Sequence, residues 1–227
     1  FPPLMIQNMN LENNRVRQDE PAAIRALAAF FSFVFHPLFL ASYVMGFLIF
    51  IHPAVFTGFE NRTRVFRFLS VFTCTCFFPA FAVFIGWRLK LIRSIRMDTI
   101  RDRLIPYAIT MIFYWWVWIV FKNLADSPVV TVRFLLGSFL AICGGWMCNI
   151  FFKISMHGIA AGGLLMFFIL FALSDTYGSG LYLSVAVLIC GIVCTSRLIA
   201  SDHSPFELYT GLLVGLLAEF ISWQFYS

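Results

Sequence analysis

The chain is short of charge. Asp, Glu, Lys and Arg make up 12% of its 227 residues while 61% are hydrophobic, whereas soluble domains carry about a quarter charged residues. That excludes an ordinary water-solvated domain. Also missing are the short segments of alternating apolar and polar residues that a membrane-spanning barrel requires; runs such as "LSVAVLICGIVC" are apolar on every side. There is no internal repeat, no low-complexity tract and no flexible linker to divide the chain. The first twenty residues lack the basic start, short apolar core and small-residue cleavage site of a signal peptide, so the first apolar run is expected to persist in the mature protein.

What is present is a succession of long apolar runs. A helix needs roughly 20 mostly apolar residues to cross a bilayer, and the sequence predicts seven such runs: Ile24–Ile51, Phe68–Trp87, Ile105–Phe121, Phe134–Phe152, His157–Leu173, Leu181–Ser196 and Leu208–Trp223. The fold class expected is all-α, a polytopic transmembrane helical bundle of six or seven spans. Residues 1–23 read as a polar tail and 24–227 as one transmembrane domain. The first run is long enough to be tilted or broken at His36-Pro37, because proline cannot continue a helical hydrogen-bond ladder. Its 29 Phe and 6 Trp suit a surface solvated by lipid. The six cysteines, Cys74, Cys76, Cys143, Cys148, Cys190 and Cys194, all fall inside apolar runs and read as packing residues, not metal ligands.

Three polar segments gather candidate chemistry: Arg88 to Arg103 after the second run, Lys153 to His157 after the fourth, and Arg197 to Glu207 after the sixth. Two crossings separate each from the next, so all three are expected on one face of the membrane. The third, "SRLIASDHSPFELYTG", holds an arginine, two acids and a histidine within a dozen residues.

These segments resemble the type 2 phosphatidic-acid phosphatase (lipid phosphate phosphatase) superfamily. Its last signature, S-R-x5-H-x3-D with a proline and a glycine following the histidine, is matched by Ser196, Arg197, His203, Pro205 and Gly211, with Glu207 at the aspartate position. "KISMHG" resembles the P-S-G-H signature through Ser155 and His157, with Ile154 and Met156 replacing proline and glycine. "RMDTIRDRLIP" follows K-x6-R-P loosely through Arg96 and Arg103, with Pro106 displaced. The resemblance covers about 96–211.

It implies that His203 attacks phosphorus to form a phosphohistidine, that Glu207 orients His203, and that His157 protonates the departing oxygen. Physical chemistry allows each role: neutral imidazole is a nucleophile, its charged form is a proton donor, and a carboxylate on the second ring nitrogen fixes the tautomer. Arg96, Arg103 and Arg197 would hold the phosphoryl oxygens, helped by Ser155 and a neighbouring backbone N–H. Met156 would restrict the approach of phosphate. No metal and no cofactor are expected.

The function expected is hydrolysis of a membrane lipid phosphate or diphosphate. A non-hydrolytic phospholipid-binding or lipid-moving relative and a lipid phosphotransferase are the alternatives. The expected partners are that lipid substrate and the bilayer, with no nucleic acid; the net charge of +5 suits anionic headgroups. His36 and His52, each followed by proline, read as interfacial residues or residues that satisfy a neighbour. Asp202 reads as a loop residue that competes with Glu207. Glu219 is expected to line a cavity or approach water near the far end of its helix, outside the site. The cluster "FYWWVW" reads as a lipid-facing or interfacial surface. The chain is expected in a bacterial cytoplasmic (inner) membrane. Relatives of the resembled family mostly face away from the cytoplasm, whereas the excess of Arg and Lys on the site face leans towards a cytoplasmic site.

Overall fold

The computed structural model describes residues 21–52, 54–90, 100–174, 180–200 and 204–226, with the backbone alone for 100–103. The protein is an all-α multi-pass membrane bundle, and no strand occurs among the described residues. Six helices are long and apolar enough to cross a membrane, or seven if a bent pair at the start counts as one span.

That pair comprises α1 (Ala22–Val34) and α2 (Pro37–Gly46), the latter prolonged by a π-helical turn over Phe47–Ile51. They meet at 60°, at the His36-Pro37 break expected from the sequence. A residue before proline is pushed out of the helical region. His36 accordingly takes extended dihedrals and caps α2, its Nδ1 accepting from Leu38 N at 3.3 Å, while Pro37 occupies the first turn, where its missing N–H costs nothing.

The next span joins α3 (Asn61–Phe72), a π-helical turn (Thr73–Phe77) and α4 (Phe78–Arg88). It starts before the predicted Phe68, because Arg62, Arg64 and Arg67 belong to the helix. Buried Arg67 is tolerated there through its ion pair with Asp126 and the faces of Phe59 and Phe121 beneath its guanidinium. The remaining spans are α5 (Ile100–Asn123), α6 (Val129–Phe151), α7 (Met156–Ser174), α8 (Gly180–Ala200) and α9 (Pro205–Phe225). The six cysteines are free.

The tightest pairing is between α7 and α9, which both start at the site face and run parallel. A Cβ on Gly158 would sit 2.5 Å from Leu208 O, on Gly162 2.1 Å from Leu212 O, on Gly211 2.6 Å from Ser155 O and on Gly215 2.0 Å from Ile159 O. Each helix therefore presents two glycines four residues apart to the other's backbone. This small-residue contact is how membrane helices gain packing energy where lipid already solvates apolar side chains. The far half of the bundle is filled by aromatic rings, among them Phe47, Phe134, Phe167, Phe168 and Phe171.

Candidate functional site

The contact between α7 and α9 sets the site's frame. Ser155 N donates to Glu207 O at 3.1 Å, so the second and third polar segments are joined by backbone. Ser155 is fully buried; its Oγ accepts from Gly158 N at 3.3 Å and its carbonyl accepts from Ile159 N, so it caps the start of α7. Glu207 lies in the first turn of α9, where Ser204 caps the helix by accepting from Glu207 N at 3.3 Å. The Ser-x-x-Glu spacing is that of a capping box, and an acid there complements the helix dipole.

Beside this frame opens a cavity of about 440 Å³, within the size range of small-molecule sites. His157, Arg197, Met156 and His36 line it, as do Tyr107, Thr110 and Tyr114 of α5, Ser138 of α6 and Glu219 of α9; most of the rest of its wall is apolar. Arg197 is in the last turn of α8, and His157 is in the first turn of α7. Ser155 and Glu207 do not line it.

His157 owes its orientation to the break after α1. His36 N bonds Phe33 O at 3.2 Å instead of continuing the helical pattern to Ser32 O, and the Ser32 carbonyl faces His157 Nε2 at 3.1 Å. A carbonyl only accepts, so Nε2 carries the proton in this contact. The rings of His36 and His157 meet edge to face, 5.4 Å apart.

Of the predicted site residues, His157 and Arg197 therefore share the cavity, while Ser155 and Glu207 form the helix starts beside it. Arg96 and His203 lie outside the described residues, as does Asp202; Arg103 is in the first turn of α5, its side chain outside them. His36 does satisfy a neighbour, as expected, but it also faces His157. The His-Pro break was the available signal. Tyr107, Thr110 and Tyr114 were missed; their spacing of three and four residues places them on one helix face. Glu219 lines a cavity as expected, but not one outside the site: α9 carries it onto the cavity that holds His157 and Arg197. Trp115 and Trp116 are exposed to the outside of the bundle as expected, while Tyr114 turns inward. His52 is buried against Phe171 and Phe47, and its Nδ1 accepts from Ala54 N.

Compared with protein-family models, characterised proteins and solved structures, the chain matches none.

Proposed function

We propose that this chain is an integral membrane phosphatase of a bacterial inner membrane, hydrolysing a lipid phosphate or diphosphate. One observation carries the reading: His157 and Arg197 open on a single, mainly apolar cavity, beside helix starts that bear Ser155 and Glu207. An apolar tail fits such a wall, and a guanidinium fork at its end suits phosphoryl oxygens.

In the proposed reaction, a ring nitrogen of His203 forms a bond to phosphorus while the P–O bond to the leaving oxygen breaks, an ester bond in a monophosphate and the anhydride bond in a diphosphate, its electron pair leaving on that oxygen. His157 supplies the proton that oxygen needs. Water then attacks phosphorus as the P–N bond breaks, its proton passing to the now neutral His157, so that inorganic phosphate is released and both histidines are restored. Arg197, with Arg96 and Arg103, stabilises charge on the equatorial oxygens. Because the Nε2 proton of His157 points at the Ser32 carbonyl, this step requires His157 to leave that carbonyl or to use its other nitrogen.

The second reading, a non-hydrolytic phospholipid binder, draws support from that same contact and from Met156 on the cavity wall. Phosphate release by purified protein from a panel of polyprenyl phosphates, phosphatidic acid, phosphatidylglycerol phosphate and phosphorylated glycolipid separates the two. Release that is abolished in His203→Ala supports hydrolysis. No release from any lipid, or full activity in His203→Ala, defeats it. Phosphate appearing on an acceptor lipid instead identifies a transferase.

A further inference from the structure

The deep end of the cavity holds a group that the proposed chemistry does not use. Glu219 is 1% exposed, lines the cavity, and its Oε1 has no hydrogen-bond partner. Its carboxyl packs directly on the α6 backbone, where the lack of a side chain makes room for it: a Cβ on Gly137 of α6 would lie 1.9 Å from Glu219 Oε2. Along α9, Glu219 follows by eleven residues Leu208, whose carbonyl packs on Gly158 beside His157, which sets it roughly 16 Å deeper into the membrane at 1.5 Å per residue. A buried polar atom without a partner is costly in an apolar setting, and intramembrane acids that face cavities mark ligand pathways.

We infer that Glu219 is a second recognition point, binding a hydroxyl carried on the apolar part of a phosphorylated amphiphile whose phosphate sits at Arg197 and His157. A hydroxyl both donates and accepts, so it satisfies the carboxyl group in either protonation state. Tyr107, Thr110 and Tyr114 line the same cavity. This rests on the reading of the His157–Arg197 end as the phosphate site, and it narrows the substrate class to lipids with a polar group far along the tail.

The test uses non-hydrolysable probes on the purified full chain in lipid nanodiscs: dodecylphosphonate, ω-hydroxydodecylphosphonate, and an isomer with its hydroxyl beside the phosphonate. An extended twelve-carbon chain covers about 14 Å, because each C–C bond of about 1.5 Å advances the zigzag by only about 1.3 Å. Probe partitioning into lipid is common to all proteins compared, so the ratio of affinities is read. The ω-hydroxyl probe is expected to lose about tenfold relative to the plain probe in Glu219→Leu, and to keep most of its preference in Glu219→Gln, whose amide also donates and accepts. In the wild type, the ω-hydroxyl isomer is expected to bind more tightly than the isomer hydroxylated near the phosphonate, which supplies a test needing no variant.

An unchanged ratio in Glu219→Leu, equal binding of the two isomers, or no binding of any probe overturns the inference. These readouts need no turnover. A chain that releases no phosphate yet shows the ratio change refutes the phosphatase and keeps the deep site; a working phosphatase with an unchanged ratio does the reverse.

Discussion

The two halves of the bundle both hold arginine and histidine among their helices, yet they treat them differently. In the far half, Arg67 is consumed by Asp126, Ser127 and two phenyl faces. Arg133 donates to Tyr226 O at 2.7 Å with its guanidinium 4.6 Å from the Trp223 ring centre, and His52 is walled in by aromatic rings. In the near half, Arg197 and His157 border an open cavity. Polar groups in a membrane must find partners, and the difference teaches that a cavity beside the group, not its charge, separates a structural residue from a candidate ligand-binding one.

The contrast can be broken most severely at the histidines. His203→Ala and His157→Ala are expected to lower phosphate release by about 10²–10⁴-fold, whereas His52→Ala leaves turnover per folded molecule unchanged; steady-state assays on purified variants check both.

Packing offers the next largest effect. Gly162→Leu drives a side chain into the Leu212 carbonyl and is expected to cost about 3 kcal/mol. Gly191→Leu, at a position with no atom within 4 Å of a built Cβ, is expected to change stability by less than about 0.5 kcal/mol. Thermal unfolding in one detergent compares the two.

The arginines sharpen the comparison further. Arg197→Lys keeps the charge but loses the planar fork, and kcat/KM is expected to fall about tenfold. Arg133→Lys, on the far side, is expected to lower thermal stability without touching kcat/KM. Least of all, Ser204→Ala removes the cap of α9 and is expected to cost about 1 kcal/mol, read as a lowered Tm.

Much of the architecture was legible in composition because hydropathy is a sum over consecutive residues, and a bilayer imposes its thickness on that sum. The His36-Pro37 break was legible for a local reason, the steric demand of proline on its predecessor. Arg67 was not: read alone it marks a loop, and only Asp126, far along the chain, makes it a helical residue. The same limit hid the glycines of α7 and α9, whose spacing within each helix is visible but whose partners are not. For the candidate site, the sequence named His157 and Arg197, which share a cavity, while the meeting of His36 with His157 and the α5 hydroxyls became visible only when separate spans were brought side by side. Glu219 was noticed as an oddity, and its depth in the same cavity as His157 depends on how α6 and α9 pack.

The four backbone contacts between α7 and α9 also decide how the molecule can move. Two parallel rods meshed at both ends of a short segment cannot slip lengthwise without a glycine colliding with a carbonyl, so the wall carrying His157 and Glu219 behaves as a fixed ruler. The opposite wall is built otherwise: there the 60° elbow between α1 and α2 interrupts the helical ladder and leaves the Ser32 carbonyl to rest on His157.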